Sequence, residues 1–248
     1  MDFITGASFV LAYGTADYAL RVRAKVRTGE LVLVLGASGG VGLAAVQLAK
    51  AAGATVIAAA STPEKLETCR DSGADFLLNY RDPKDSRAGK SRAGNWRQAL
   101  KRLVGPRGID VVLDSVGGAD CETALRSMAV GGRYLVIGFA SGTIPAPSLN
   151  LVLLKEVCVI GIFWGAWLKR DPEGSAQQLK ELVRLYGEGL VRPVISRVYP
   201  LHEAPRALDD MGARRVVGKL VIDCSEKAGP AVGGGEESRH DRTVVSRL

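Results

Sequence analysis

The chain has 248 residues, of which 47% are hydrophobic and 24% charged, and its formal net charge is +7. This apolar fraction is ordinary for a globular protein, so it excludes disorder for the bulk of the chain. The four cysteines share no short spacing, which excludes a disulfide scaffold and predicts reduced, buried thiols in a reducing compartment.

Helix and strand patterns alternate along most of the chain. Apolar residues recur at helical spacing over 8–27, and Thr28-Gly29 ends that segment. Apolar runs predict six strands, at 31–35, 55–60, 76–80, 109–114, 133–138 and 157–163. Helices are predicted at 41–52, 62–72 (with Ser61 as N-cap), 96–104, 119–129 and 174–188. This alternation predicts an α/β fold, a doubly wound parallel six-stranded Rossmann sheet with right-handed crossovers.

The C-terminal part of the chain has a different character. After Arg192, strand patterns at 194–199 and 219–223 flank a helix pattern at 203–213, as if they belonged to a second structure. Residues 86–95 repeat the letters SRAG and predict a flexible insert. Residues 225–248 are polar and contain three consecutive glycines, which predicts a disordered tail.

Two long uncharged runs, 31–49 and 134–154, have the length of a membrane span. Glycine, serine and, in the second run, proline interrupt them, so buried strands and turns are the favoured interpretation. Asp2 stands where a signal peptide has a basic region, and no cleavage signature follows. We therefore expect a cytoplasmic protein without a membrane segment.

The net charge is concentrated in one stretch. Residues 81–107 contain nine basic and two acidic residues, and nine minus two is the whole net charge of +7. A nucleic-acid-binding segment concentrates charge in this way, but Trp96 stands alone, without the aromatic series that stacks bases. A solvated loop leading into a helix is the preferred interpretation, and RNA binding through 81–107 remains a second alternative function.

The most informative motif follows the first predicted strand. The sequence GASGGVG begins at Gly36 and opens the next helix. Glycine lets the backbone turn sharply and approach a pyrophosphate, and the free N–H groups of the helix N-terminus bind that anion. The motif therefore predicts a dinucleotide site, in which the cofactor-binding residues are Ala37, Ser38, Gly39, Gly40, Val41 and Gly42.

Two known loop patterns fit this motif. One is the Rossmann fingerprint with Ala37 in its first position. The other is the glycine spacing of short-chain dehydrogenases, which also need a Tyr-x3-Lys pair on a later helix. The one such pair here, Tyr80–Lys84, contains Pro83 and comes too early in the chain. We therefore reject the short-chain interpretation.

The second predicted strand bears on the choice of cofactor. Sites for NAD place an acid about 20 residues past the loop, where it holds the ribose 2′-OH. Here residues 60–62 are Ala, Ser and Thr, and Lys65 follows. Hydroxyl and ammonium groups suit a 2′-phosphate, which an acid would repel. The sequence predicts NADPH over NADH, with a merely solvated Lys65 as the alternative.

Several segments resemble a known family. They read GASGGVGLAAVQLAKAAGATVIAAASTPEK, GADFLLNYRD, IDVVLDSVGG and GGRYLVIGFASG. They are similar to the medium-chain dehydrogenase/reductase superfamily, and most of all to its zinc-free quinone oxidoreductases of the zeta-crystallin type. The resemblance covers about residues 8–224, apart from 86–95. It implies hydride transfer from NADPH to a quinone or an α,β-unsaturated carbonyl, and a homodimer joined along 157–163.

The resemblance also implies further cofactor-binding residues. Ser61 and Lys65 would hold the 2′-phosphate, Tyr80 would line the adenosine side, and Ser115 would follow the fourth strand. The remaining implied neighbours are Phe139, Phe163 and Trp164 at the nicotinamide end, and Thr15 and Tyr18 in a segment bordering the cofactor. Phe139 and Phe163 are equally consistent with core packing. No catalytic acid or base is assigned.

The sequence predicts no metal site, because residues 1–68 contain neither Cys nor His and the remaining four Cys and two His form no closely spaced set. By resemblance, 1–30 would end a truncated GroES-like barrel domain, 31–190 would bind the cofactor, and 191–224 would return to the barrel. One wall of the substrate cleft would then be absent. A non-catalytic NADPH-binding protein or an inactive short isoform is therefore the first alternative function.

Overall fold

A computed structural model describes residues 1–81 and 96–225 of the chain. The predicted insert at 86–95 and the predicted tail beyond Ser225 lie outside the described residues. The strands are β1 (Leu31–Leu35), β2 (Thr55–Ala60), β3 (Phe76–Asn79), β4 (Ile109–Asp114), β5 (Met128–Val136), β6 (Cys158–Gly161), β7 (Ile195–Pro200) and β8 (Lys219–Asp223). The helices are α1 (Phe3–Asp17), α2 (Gly40–Ala51), α3 (Pro63–Asp71), α4 (Trp96–Val104), α5 (Asp120–Ser127), α6 (Leu149–Lys155), α7 (Trp164–Arg170), α8 (Pro172–Gly187) and α9 (Ala204–Gly212).

The first six strands form one parallel sheet in the order β3-β2-β1-β4-β5-β6. The predicted doubly wound Rossmann sheet is therefore confirmed. All five residues of β1 are buried, which explains why this strand is a continuous apolar run rather than an alternating one.

Helices cover both faces of the sheet, so the core has two layers. Successive residues of a strand point to opposite faces. Val32 and Val34 therefore pack into the layer that contains α1, α2 and α8, whereas Leu33 and Leu35 pack into the layer formed with α4 and α5. Trp96, which is 1% exposed, anchors α4 in the second layer.

The first predicted helix begins earlier than its apolar pattern and changes type near its end. Asp2 caps α1 by accepting a hydrogen bond from the N–H of Thr5 at 2.7 Å. After Asp17 the chain continues as a π-helix over Tyr18–Arg23. In that segment the guanidinium of Arg23 donates to the carbonyl of Gly161 at 2.9 Å, which ties this helix to the end of β6.

The N-cap of α3 is Thr62, not Ser61 as predicted. The Thr62 side chain accepts from the N–H of Lys65, and Pro63 occupies the first helical turn. Ser61 and Thr62 both have a hydroxyl group that can cap a helix, so the sequence pattern located the N-cap only to within one residue. The side chain of Ser61 is thereby free for another partner.

After α8 the chain forms a separate small sheet in which β7 and β8 pair in parallel. Just before β8, Gly218 forms a β-bridge with Gly39, at the end of the loop that follows β1. We refer to residues 191–224 as the C-terminal return. Its assignment to a second, barrel-like domain stays a prediction.

Two sequence expectations need correction. The helices α6 and α7 were not predicted. The four cysteines were expected to be buried; Cys69 and Cys121 are, but Cys158 and Cys224 are exposed. Within 1–81 and 96–225, no helix is long and apolar enough to cross a membrane.

Candidate cofactor site

The loop after β1 is held in one tight shape by its own backbone. Gly36 adopts a left-handed conformation with φ of +70°. The N–H of Gly39 donates to the Gly36 carbonyl at 3.1 Å, and the N–H of Ala37 donates to the carbonyl of Ala59 in β2 at 3.0 Å. A Cβ on Gly42 would lie 2.3 Å from the Gly36 carbonyl oxygen. The helix therefore packs this closely on the turn only because residue 42 is glycine.

The surface of this loop is backbone rather than side chain. Ala37 and Ser38 are buried, Gly39 is exposed, and Gly40 and Val41 are half-buried at the start of α2. The first N–H groups of a helix have no intrahelical acceptor, and they form the positive end of its dipole. The loop therefore has the donors and the open approach that a pyrophosphate needs.

A second loop meets the first at the point where the strand order reverses. β1 lies between β2 and β4, and the chain leaves β1 in one direction and β4 in the other. The Ser115 hydroxyl donates to the carbonyl of Leu35 at 3.0 Å, which joins the ends of β1 and β4. Open α/β sheets bind their ligands in the crevice at this reversal. Ser115 is thus placed beside the loop, as predicted for a residue after the fourth strand.

A buried carboxylate shapes the loop after β4. Asp114 is 2% exposed and accepts hydrogen bonds from the N–H groups of Val116 at 2.8 Å and Gly117 at 2.9 Å. Its other oxygen accepts from the hydroxyl of Tyr134. Burial and the adjacent Asp114 carboxylate both raise the pKa of Tyr134, so its hydroxyl stays a donor at all physiological pH values. Sequence reasoning missed this pair.

Several cationic side chains lie close together beyond the carboxyl ends of β2 and β3. The Lys65 ammonium donates to the carbonyl of Arg214 at 2.8 Å, which brings the C-terminal return to α3. Burial, with the nearby charges of Arg81 and Arg214, lowers the pKa of Lys65 below its ordinary value. We refer to Lys65, Arg81 and Arg214 as the cation cluster. None of the ion pairs in residues 1–81 and 96–225 involves the side chain of Lys65, Arg81 or Arg214.

The predicted cofactor-binding residues Ser61 and Tyr80 lie beside the cation cluster. The Ser61 side chain interacts with the Tyr80 hydroxyl, and burial raises the pKa of Tyr80. Arg81 and Arg214 also act on Tyr80 electrostatically, and both lower that pKa. Sequence reasoning grouped Arg81 with a solvated basic stretch and missed Arg214. Arg214 has a positive φ of 57°, a conformation that the local sequence does not predict.

The aromatic residues predicted at the nicotinamide end are outside the core. Phe139 is 40% exposed and Phe163 is 73% exposed. Phe139 lies against Gly117, where a Cβ would come within 2.8 Å of its ring. Phe163 lies two residues past the end of β6. These exposures favour a surface role over core packing for both rings.

The side chain of Trp164, next to Phe163, is held in place by hydrogen bonding to a buried residue. Its indole N–H donates to the side-chain oxygen of Gln178 at 2.8 Å. The amide nitrogen of Gln178 donates to the Gly14 carbonyl at 3.0 Å and to the Asp17 carboxylate at 2.8 Å. Gln178 is 1% exposed, so these bonds form in a dry environment. This cluster connects α7 and α8 to α1, and sequence reasoning did not identify it.

Tyr18 is a core residue in the structure. It is 2% exposed and stacks on Trp167, with ring centroids 4.6 Å apart. Its implied place at the border of the cofactor stays a prediction, as does that of Thr15. Over 1–81 and 96–225, no three or more His, Cys, Asp or Glu side chains are grouped to hold a metal ion.

Several known proteins are similar to this chain in sequence and fold. Residues 40–185 match the family described as zinc-binding dehydrogenase. Quinone oxidoreductase-like protein 2 of Bos taurus is 38% identical over 217 residues, which are 87% of this chain and 59% of that protein. A mycobacterial protein solved as a complex with NADPH has a TM-score of 0.79 at 30% identity, over 90% of this chain and 65% of that one. The CurK enoyl reductase has a TM-score of 0.76 at 28% identity, over 90% and 63%.

The family match covers more than half of the chain and includes the start of α2, the cation-cluster residue Lys65 and most of the sheet. The chain itself spans only 59% of the bovine relative. The sheet order, the Gly-rich loop at the reversal point and these matches agree with one another. The chain belongs to the zinc-binding dehydrogenase family of the medium-chain dehydrogenase/reductase superfamily, with quinone oxidoreductase-like proteins among its relatives.

Proposed function

We propose that this chain binds NADPH and belongs to a reductase that passes hydride to a quinone or an α,β-unsaturated carbonyl without zinc. The cation cluster of Lys65, Arg81 and Arg214 carries this proposal. It lies where a site for NADH has an acid. A 2′-phosphate dianion brought among these cations would offset their mutual repulsion, which together with burial lowers the pKa of Lys65.

A buried acid, Asp120, lies within electrostatic reach of the cluster. Asp120 interacts electrostatically with Arg81, but it is buried and accepts a hydrogen bond from the Trp96 indole at 2.7 Å. Burial raises the pKa of Asp120, against the opposing effects of the Trp96 hydrogen bond and the charge of Arg81. Asp120 forms none of the ion pairs in residues 1–81 and 96–225.

The residues of the chain would bind and orient the cofactor. The loop 37–42 would hold the pyrophosphate through backbone N–H groups, and Ser61 with the cation cluster would hold the 2′-phosphate. Tyr80 would line the adenosine, and Phe139 and Phe163 would exclude water beside the nicotinamide. NADPH, when bound, supplies the hydride. We assign no proton-transfer role to any residue of this chain.

The names of the relatives support the acceptor class. One is called quinone oxidoreductase-like, one is an enoyl reductase and one was solved with NADPH. Zinc independence is proposed because residues 1–68 contain neither Cys nor His. Metal analysis of the purified protein and turnover in the presence of a chelator test it. Activity that is lost with chelator and regained with zinc would contradict it.

A homodimer and a cytoplasmic location are further parts of the proposal. β6 is an edge strand, and its exposed residues include Cys158, Val159 and Gly161. An unpaired apolar edge is suited to pairing with a second copy. Exposed thiols at Cys158 and Cys224 suit a reducing compartment. Light scattering on the purified chain measures the oligomeric state, and a monomer at working concentration would contradict the dimer.

Thermal unfolding of the full chain without cofactor, with NADPH and with NADH is the first test. A ligand that binds only the native state stabilises it by roughly 2.7 kcal/mol at 100 times its Kd. We expect a higher midpoint with NADPH and a smaller rise with NADH. An equal rise with both would remove the 2′-phosphate assignment, and no rise would remove cofactor binding.

NADPH consumption with 1,2-naphthoquinone or an enone then tests the reaction. Turnover supports the reductase; binding without turnover supports the non-catalytic alternative. The RNA alternative gains no support from Trp96, because its ring is 1% exposed and offers no stacking face. RNA that competes with NADPH in the unfolding assay would restore it.

A further inference from the structure

A buried side chain of α2, Gln47, holds the beginning of the C-terminal return. Its amide nitrogen donates to the Arg192 carbonyl at 2.9 Å, and its amide oxygen accepts from the Arg192 N–H at 2.7 Å. The amide therefore pairs with both backbone groups of one residue, as a neighbouring strand would. Such bonds are strong in a buried environment, where water does not compete for them.

The first helix adds a third bond to the same amide. The hydroxyl of Tyr13 in α1 donates to the Gln47 side-chain oxygen at 2.7 Å. The Tyr13 ring is buried and stacks on Phe9, and the Arg192 guanidinium lies over the ring of Tyr186, 4.5 Å from its centroid. With two donors on its oxygen and one acceptor on its nitrogen, the amide has a single favourable orientation.

Hydrogen bonds continue from this contact to the other end of the return. Two residues past Arg192, the Val194 carbonyl accepts from the N–H of Lys219 at 2.9 Å. The N–H of Gly218 donates to the Ser38 carbonyl, in the loop after β1, at 2.8 Å. The amide contact lies about two helical turns past the first residue of α2. The return is thus held at both of its ends, and the helix α2 supplies one of the two attachments.

The segment between these ends carries one member of the cation cluster. Arg214 lies in the return, and its carbonyl accepts from the Lys65 ammonium of α3 at 2.8 Å. Its charge also acts on Lys65 electrostatically. The cluster therefore combines residues from two parts of the chain, and their separation depends on how the return is held.

We propose that Gln47 is a positioning residue for the choice of cofactor, which holds the C-terminal return on α2 so that Arg214 stays beside Lys65. The inference rests on the proposed function. Gln47 lies outside the loop 37–42 and outside the cation cluster, and it acts through the backbone of Arg192. A loosened return moves Arg214 away from Lys65 and weakens the binding of the 2′-phosphate, which NADPH carries and NADH does not.

Calorimetric titration of the full chain with NADPH and with NADH tests this role. Gln47→Met keeps an unbranched side chain and removes the amide, so the ratio of the Kd for NADH to the Kd for NADPH should fall about tenfold. Hydrogen exchange at the Gly218 amide should be faster without cofactor. Tyr13→Phe is the matched control: it removes one donor and leaves both bonds to Arg192, so it should lower the unfolding midpoint and leave the Kd ratio unchanged.

Gln47→Glu should restore the contact in a pH-dependent way. In mildly acid buffer the introduced carboxyl group, whose pKa burial raises, donates to the Arg192 carbonyl and accepts from the Arg192 N–H as the amide does. In mildly alkaline buffer the carboxylate has no proton to donate. Burial raises the pKa of Tyr13, so its hydroxyl stays protonated in both buffers. Compared with the unsubstituted chain at the same pH, the Kd ratio should be equal in acid and lower in alkali.

Other results overturn the inference. One is a Kd ratio that Gln47→Met leaves unchanged, even with faster exchange at Gly218, because Gln47 would then only stabilise the fold. Another is a Gln47→Glu chain whose ratio, relative to the unsubstituted chain, is the same in both buffers; this comparison decides alone if Gln47→Met does not fold. An unsubstituted chain that binds neither cofactor, or both equally, ends the proposed function first and this inference with it.

Discussion

The phosphate end and the nicotinamide end of the candidate site are built by different means. At the phosphate end, backbone hydrogen bonds and close glycine contacts fix the loop 36–42, and charge is supplied from α3, the segment after β3 and the C-terminal return. At the proposed nicotinamide end, Phe139 and Phe163 are exposed, and Gln178 holds the neighbouring Trp164 through a hydrogen bond. The difference indicates that cofactor affinity and reactivity depend on separate parts of the chain. Substitutions at each end separate the two.

The largest effect is expected at Gly42. A methyl group there would lie 2.3 Å from the Gly36 carbonyl oxygen and 2.7 Å from backbone atoms of Ala37, and none of these atoms moves without distorting the turn. Gly42→Ala should lower the free energy of unfolding by about 3 kcal/mol and abolish NADPH binding. Urea unfolding and cofactor titration measure both quantities.

Gly187 provides the matched control for Gly42. It lies in α8, and a Cβ there meets nothing within 4 Å. Gly187→Ala should be neutral or stabilise by up to about 1 kcal/mol, since alanine favours the helix. If both substitutions have the same effect, the loop is not held by the close contact at Gly42.

The next largest effect concerns Gln178. Gln178→Leu leaves the buried Trp164 indole without its acceptor and removes one donor each from the Gly14 carbonyl and the Asp17 carboxylate, so we expect a loss of about 2 kcal/mol in the free energy of unfolding. If the two ends are separate, turnover with 1,2-naphthoquinone falls while Kd for NADPH stays near its original value. The exposed neighbour Gln177 is the control, and Gln177→Leu should change neither.

The sequence predicted the local half of this site and missed the distant half. β1, β2 and β4 have the predicted bounds, because a buried parallel strand is a continuous apolar run that local composition reveals. The loop 36–42 was found because its glycines, strand and helix are contiguous. Arg214 was not found, because only the fold of the C-terminal return brings it beside Lys65.

The missed helices have the same physical cause. α6 has the sequence LNLVLLK, with three exposed leucines and one buried, so no polar face marks it as amphipathic. α7 directly follows Phe163 and has a single buried residue, Trp167. Gln178 looks like an ordinary polar residue of α8, and its role depends on Gly14, which lies more than 160 residues earlier. Contacts of that range are fixed by packing and not by pattern.

A smaller and more selective effect is expected at Lys65. Lys65→Met should raise Kd for NADPH about tenfold and leave Kd for NADH unchanged, because only NADPH carries the 2′-phosphate. Lys169→Met, at an exposed lysine of α7, is the control. A parallel loss for both cofactors would show that Lys65 does not distinguish them.

The pH dependence of this preference has a defined sign. Burial and the charges of Arg81 and Arg214 lower the pKa of Lys65 in the free protein, and a bound phosphate dianion raises it again. Below the lowered pKa, Lys65 is already charged and the preference for NADPH is complete. As the pH rises through that value, binding must take up a proton, so the preference falls. Calorimetry in buffers of different ionisation heat measures the uptake, which should be absent in Lys65→Met.

The smallest effect on stability is expected at Phe163, where the sequence left core packing and cofactor contact equally open. Because the ring is 73% exposed, Phe163→Ala should change the free energy of unfolding by no more than about 0.5 kcal/mol. Phe9 is 1% exposed and stacks on Tyr13, so Phe9→Ala should cost about 3 kcal/mol or more. Turnover separates the remaining possibilities: a fall in kcat with unchanged stability places Phe163 at the nicotinamide, and a shift from dimer to monomer with unchanged kcat places it at the subunit edge beside β6.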